Sequence, residues 1–222
     1  LGDVYKRQVN PPVVRASTII FKSMDELRKT QTKGKKNPIG GHFDYGRQGT
    51  STTYILQQML REMEECHHVF LTPTGFGSVF LSIFSVVRPG DEILTADPVY
   101  YPTRLLTEDF LKSFNIKTIF YNPHDLNTLK SKITKKTKLI YVESPGSNSF
   151  EFQDLSKIVS IAKKHKLFTA IDNTWATPYF LKPIKLGFDM SIVSATKYYS
   201  GHSDVMGGSL AVNKKVFKHV EL

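Results

Sequence analysis

Short apolar runs alternate with stretches of helical periodicity along most of this chain, and nothing else in it narrows the fold as much. The runs at 69–72, 92–95, 117–121, 139–143, 167–171, 190–194 and 209–212 read as strands. Between them, 75–87, 101–114, 125–133 and 154–165 read as helices, the third opened by Asp125 as N-cap. A further helix is expected over 51–65, where Ile55, Met59 and Met63 share a face, with Leu56 and Leu60 beside them. Strands that alternate with helices imply an α/β fold, built on a mainly parallel sheet covered on both faces. At 222 residues the chain is long enough for one large domain with a real core.

Ahead of this pattern, 9–50 reads as an irregular arm. Pro11, Pro12, Pro38 and the pair Gly40-Gly41 punctuate it. Such an arm is expected to lie across a neighbour rather than to form a core of its own. Residues 1–8 show no periodicity. There is no internal repeat and no low-complexity segment.

Charge and cysteine usage bound the partners. The formal charge of +10 is spread over short, scattered lysine runs and forms no single tract. No aromatic-lined motif accompanies it, so no nucleic-acid partner is expected. No apolar run approaches the roughly 20 residues of a membrane helix. No secretory signal is evident at the N-terminus. The single cysteine, Cys66, cannot form an intramolecular disulfide, and a cytoplasmic location is the natural expectation. Cys66, His67 and His68 are adjacent, whereas metal ligands are spaced over turns, so they read as a helix end and no metal is expected.

Ligands in open α/β sheets sit beyond the carboxyl ends of the strands. After 167–171 comes Asp172-Asn173-Thr174-Trp175, and after 190–194 comes Ala195-Thr196-Lys197. After 69–72 comes Pro73-Thr74-Gly75-Phe76-Gly77, which opens a helix. These three loops are expected to face one site. Lys197 offers an amine and Asp172 an acid. Gly75 and Phe76 offer backbone N–H groups at a helix N-terminus, where the dipole favours an anion. Ser194 and Thr196 add hydroxyls. Taken singly, each has an ordinary reading: Lys197 is one lysine of many, Asp172 suits a turn cap, and many helices open on such a turn. Only their joint order points to chemistry.

The stretch 189–208, DMSIVSATKYYSGHSDVMGG, resembles the attachment signature of the Cys/Met-metabolism family of transsulfuration enzymes, which depend on pyridoxal 5'-phosphate (PLP). A serine and a threonine precede the lysine, an aromatic follows it, and Gly201-His202-Ser203 comes after. The resemblance runs from about Val9 to the end. It implies the large domain of an aspartate-aminotransferase-like, fold type I enzyme. Residues 1–50 would then form the N-terminal arm and 51–222 the PLP-binding domain. Family members continue through a small C-terminal domain that is absent here, so the resemblance implies a fragment. That domain is expected to supply the arginine that holds the substrate carboxylate.

The resemblance also implies roles. Lys197 takes the place of the Schiff-base lysine and Asp172 that of the acid at the ring nitrogen. Tyr100 takes the place of the tyrosine that stacks on the ring, with Tyr101 as its competitor. Gly75, Phe76, Ser194 and Thr196 take the places of the phosphate contacts. Tyr45 and Arg47, in YGRQGT, resemble a pair that reaches the cofactor of the neighbouring subunit, which implies a homo-oligomer. His202 is expected to make a structural hydrogen bond, and Trp175 to pack beside the site.

Within the family, three features resemble bacterial cystathionine β-lyases. YGRQGT is followed by Gln57 and Gln58. DNTWATPYFLKPIKLGFDMSI is of that type. In Glu143-Ser144-Pro145-Gly146-Ser147, then Asn148, a serine stands where γ-synthases and γ-lyases carry asparagine and then proline. The implied reaction is α,β-elimination of L-cystathionine, a sulfur amino acid, to homocysteine, pyruvate and ammonia. The alternatives are a cystathionine γ-synthase, a γ-lyase or a methionine γ-lyase. From another class, they are a non-catalytic basic binding protein or an inert fragment.

Overall fold

A buried strand must find hydrogen-bonding partners along both edges, and the apolar runs find them in one seven-stranded sheet. The computed structural model describes residues 9–221. The expectations for 1–8 lie outside those residues. The chain forms two compact units, Leu1–Leu60 and Arg61–Leu222.

In the first unit, the stretch expected to be irregular contains a helix, α1 (Met24–Lys36). None of its residues is buried, so it has no apolar stripe to announce it. Its ends account for it instead. The Ser23 side chain accepts from the Glu26 N–H, and Glu26 Oε2 accepts from the Lys22 N–H at 2.9 Å. Asp25 and Glu26 face the positive end of the dipole, and Lys33, Lys35 and Lys36 the negative end. A 3-10 turn, Gly46–Gln48, follows, pinned where the Gly46 N–H donates to Ser17 O at 2.8 Å. Helix α2 (Ser51–Glu64) is the one expected from its apolar spacing.

The second unit runs in this order: β1 (His68–Thr72), α3 (Gly75–Phe84), β2 (Glu92–Ala96), α4 (Tyr101–Leu105), a π-helical turn (Leu106–Phe110), α5 (Leu111–Ser113) and β3 (Lys117–Tyr121). Then come α6 (Leu126–Ser131), β4 (Thr137–Glu143), α7 (Leu155–His165), β5 (Phe168–Asp172), α8 (Thr177–Phe180), α9 (Pro183–Leu186), β6 (Met190–Val193), β7 (Gly208–Val212) and α10 (Lys214–Val220). The strand order is β1-β7-β6-β5-β4-β2-β3. Neighbours are parallel from β6 through β3, and β7 is antiparallel to both β1 and β6. The sheet is therefore mainly parallel, as the alternation implies.

Helix α7 shows how the core is assembled. Ile158, Val159, Ile161 and Ala162 are buried in one cluster with Leu94, Ile140, Val142 and Ile171 of the sheet. Asp154 caps the helix by accepting from the Lys157 N–H at 3.0 Å, and Lys166 ends it in the left-handed region. Truncating the fully buried Ile158 to alanine is worth about 2–5 kcal/mol at such a site.

Three differences from the sequence expectation matter. The helix expected over 101–114 is interrupted by the π turn, where Thr107 O accepts from Thr118 Oγ1 at 2.8 Å. The short helices α8, α9 and α10 replace what the pattern left as loops, being too short to show a period. Strand β5 ends one residue later than expected, so Asp172 is its last residue.

Candidate active site

The parallel strands deliver their carboxyl ends to one edge of the sheet. Glu143 and Asp172 are register partners there, ending β4 and β5. The antiparallel pairings set Thr72 of β1 against Gly208, and Val193 of β6 against Ser209. The ends of β1, β4, β5 and β6 thus meet around a cleft of about 450 Å³.

A relay of short contacts organises the cleft. Asp172 Oδ1 accepts from the Thr174 N–H at 3.0 Å. Thr174 Oγ1 accepts from the Ser194 N–H at 2.9 Å. Ser194 Oγ accepts from Lys197 Nζ at 3.3 Å. The loop that carries Lys197 is closed by Thr196, whose hydroxyl donates to Gly207 O and accepts from the Gly207 N–H, both at 3.1 Å. Lys197 itself is exposed to the cleft.

The start of α3 forms another wall. Thr74 accepts from the Gly77 N–H at 2.9 Å and so caps the helix. The preceding N–H groups, of Gly75 and Phe76, have no helical acceptor by construction of a helix end. A Cβ on Gly75 would lie 2.4 Å from Ser194 Oγ and 2.5 Å from Ser194 Cβ. Only a glycine lets the helix start close onto Ser194. Two N–H groups, a helix dipole and the Ser194 hydroxyl therefore converge in a cradle suited to a phosphate.

The acids in the cleft differ from ordinary surface carboxylates. Burial raises the Asp172 carboxyl above its usual value, while hydrogen bonds from Thr174 and the charge of Lys197 oppose the rise. Burial, then the neighbouring Asp172, pushes Glu143 up to about 8. The Tyr100 N–H, donated to Glu143 at 2.7 Å, works against that shift.

Lys197, Asp172, Tyr100, Gly75, Phe76, Ser194 and Thr196 all line this cleft. Tyr100 and not Tyr101 does so; Tyr101 lines a separate polar hollow with Arg104 and His124. Tyr45 and Arg47 belong to the first unit, where the Arg47 guanidinium lies 5.9 Å from the Tyr45 ring centroid and Tyr45 is 47% exposed. Trp175 lines the cleft but is 55% exposed rather than packed. His202 Nδ1 lies 2.7 Å from Ser200 O. The sequence reading missed Glu143 as a site residue. The rule that singled out Asp172, a polar residue at the carboxyl end of a parallel strand, applies to it equally.

Elsewhere, burial pushes the Cys66 thiol up to about 12, the reverse of an activated nucleophile. Among the described residues, no group of three or more His, Cys, Asp or Glu is placed to hold a metal ion. Likewise, no helix among them is long and apolar enough to cross a membrane.

The family model described as Cys/Met metabolism PLP-dependent enzyme matches residues 2–221. The match thus begins inside the stretch 1–8 that the sequence reading set apart from the resemblance. The chain is 35% identical over 206 residues to a cystathionine beta-lyase of Bordetella avium, covering 92% of this chain and 51% of that protein. It is 32% identical over 220 residues to an L-alanine/L-glutamate racemase of Wolbachia pipientis wMel, covering 96% of this chain and 54% of that protein. A solved structure of an O-acetylhomoserine (thiol)-lyase from Campylobacter jejuni, described with an N'-pyridoxyl-lysine-5'-monophosphate, matches with a TM-score of 0.85 and 28% identity. That match covers 99% of this chain and 52% of the other. The chain spans about half the length of the relatives it matches.

Proposed function

Because the chain belongs to the Cys/Met metabolism family of PLP-dependent enzymes, we propose that its cleft is the PLP site of a carbon–sulfur lyase. The observation that carries this reading is the relay from Asp172 through Thr174 and Ser194 to Lys197, with the helix start closed against Ser194. PLP, when bound, supplies an electron sink for a bond broken at the substrate Cα.

The residues divide the work. Lys197 Nζ would hold the cofactor and, as a free amine, would move the proton at the substrate Cα. Asp172 keeps a proton on the ring nitrogen. Its β5 position and the Thr174 hydrogen bond hold the carboxyl in place. The Gly75 and Phe76 N–H groups and the Ser194 hydroxyl hold the phosphate. Thr196 serves mainly to close the loop, since its hydroxyl is already engaged by Gly207. Tyr100 offers a ring face in the cleft. Tyr45 and Arg47 are assigned to the cofactor of a neighbouring subunit, which makes the working form a homo-oligomer.

The finer assignment is hydrolytic α,β-elimination of L-cystathionine, giving homocysteine, pyruvate and ammonia. Ser147 followed by Asn148 supports it against the γ-enzymes, since both line the cleft. Racemisation of an amino acid is a second reading, favoured by the Wolbachia relative. It would begin with the same removal of the Cα proton and end with a proton returned to the opposite face of Cα, with no other substrate bond broken.

Two experiments test these assignments. Adding PLP and then borohydride is expected to fix a pyridoxyl label on Lys197, read by peptide mapping; a label on any other lysine overturns the site. Incubation with L-cystathionine separates the reactions. Pyruvate with homocysteine supports the β-lyase, and 2-oxobutyrate with cysteine assigns a γ-lyase. D-alanine formed from L-alanine, with no keto acid, assigns a racemase.

A further inference from the structure

Glu143 lines the cleft, and none of the roles above uses it. It ends β4 directly beside Asp172, on the adjacent parallel strand, where Cα atoms are about 4.8 Å apart. Lys197 Nζ donates to Ser194 Oγ rather than to this carboxyl group. Oε2 instead accepts the Tyr100 N–H at 2.7 Å, across 43 residues of sequence. Tyr100 is the N-cap of α4, and this bond ties its backbone N–H to the last residue of β4.

The neighbouring contacts draw the same two loops together. Ser147 donates its N–H to Pro98 O at 2.9 Å. A Cβ on Gly146 would lie 2.8 Å from Pro98 Cγ, so the 143–147 loop and the 98–100 loop touch at backbone distance. Gln153 Nε2 donates to Glu143 O at 2.9 Å and steadies the end of β4. The 98–100 segment is thus held at Pro98 by the 143–147 loop and at Tyr100 by Glu143.

We propose that Glu143 is a positioning residue of the cleft: by accepting the Tyr100 N–H it sets where the Tyr100 ring lies relative to Asp172 and Lys197. This deepens the PLP reading and rests on it for its functional meaning. The anchoring itself is a property of the chain alone. The charged and titratable groups facing Glu143 are Asp172 on β5 and Tyr141 on its own strand, with Lys197 beyond Asp172. Burial first, and the Asp172 charge second, keep the Glu143 carboxyl protonated near neutral pH. Glutamine is therefore its near-isostere: it retains an acceptor oxygen at the same reach.

The test compares Glu143→Gln, Glu143→Ala and Glu143→Asp with the parent chain. The first readout is hydrogen exchange at the Tyr100 amide, measured without cofactor. The second is the visible circular dichroism of added PLP, which reports the asymmetry of the ring's surroundings. Alanine removes the acceptor, and aspartate withdraws it by one methylene. Both are expected to speed Tyr100 exchange about tenfold or more and to change the dichroic band. Glutamine is expected to restore both to within about threefold. If alanine does not fold, aspartate and glutamine decide the matter. Parent-like exchange in the aspartate variant overturns the proposal, as does a glutamine variant no better than aspartate. A parent chain that takes up no PLP defeats the cofactor reading, while the exchange result still decides the anchor.

Discussion

Two buried or half-buried acids of this fold are shifted alike, and only one of them opens to a cleft. At the carboxyl edge of the sheet, Glu143 and Asp172 sit side by side and line open volume with Lys197. Elsewhere in the same unit, Glu64 at the end of α2 is 1% exposed. Its Oε1 accepts from Ser191 Oγ at 3.4 Å, and its Oε2 is buried with no hydrogen-bond partner among the described residues. Burial raises both Glu143 and Glu64 to about 8. A raised acid therefore does not by itself mark a site. What separates the two is company: the cleft acids share open space with an amine and a helix N-terminus, and Glu64 is sealed in with the Ser191 hydroxyl, the charge of Lys182 opposing its rise.

The sharpest break between them is expected at Lys197. Lys197→Ala should abolish the borohydride-fixed label and lower turnover by on the order of 10³-fold, read by mass spectrometry and keto-acid release. A variant that keeps the label would move the site elsewhere. Asp172→Asn comes next. It keeps the shape and the Thr174 contact but removes the acid, so the label should persist while turnover falls about a hundredfold or more. Turnover equal to the parent's would remove Asp172 from the chemistry. Glu64→Gln, on the sealed side, should leave both readouts unchanged.

Gly75→Ala probes the cleft without touching an acid. The added Cβ meets Ser194 at its Oγ, Cβ and Cα, at 2.4, 2.5 and 3.0 Å. The helix start or the Ser194 loop must give way. PLP affinity is expected to fall on the order of tenfold, since a small displacement spoils convergent donors, measured by fluorescence titration. Gly77→Ala is the matched control. Its nearest contact would be Thr74 Oγ1 at 3.3 Å, a far milder approach than the 2.4 Å at Gly75, and affinity should change much less.

The cleft was more legible in the sequence than the rest of the molecule, for a physical reason. Parallel strands buried on both faces have to be continuous apolar runs, so their ends are visible, and the residues after them are the site. Lys197, Asp172 and the Gly75-Phe76 turn were found that way. Glu143 obeys the same rule, but the loop after its strand was read only for the subgroup it resembles and not for a site residue. Helix α1 was invisible to periodicity because none of its residues is buried, although Ser23 and Glu26 carried a capping signal. The π turn at Leu106–Phe110 left no signal, since it depends on how the helix meets β3 through Thr118 and Thr107. Glu64 is a related case. Nothing in the helical spacing of α2 distinguishes a glutamate that tertiary packing will bury from one that solvent will keep.

That sealed acid gives the smallest functional effect and the clearest stability effect. In the unfolded chain Glu64 titrates near the ordinary glutamate value of 4.5; in the fold, burial moves it to about 8, against the Ser191 hydrogen bond and the charge of Lys182. Below pH 4.5 both states hold the proton and the shift has no effect. Between about 4.5 and 8 the unfolded state releases its proton while the folded state retains it, so stability falls as pH rises. Above about 8 the loss is complete. A shift of this size corresponds to about 4–5 kcal/mol at most. Glu64→Gln cannot titrate and keeps an acceptor for Ser191. Its urea midpoint should match the parent's near pH 4.5 and exceed it increasingly toward pH 8. Parallel stability curves for the two proteins would mean that Glu64 is solvated in the folded chain, and the contrast between the sealed and the open acids would fall with it.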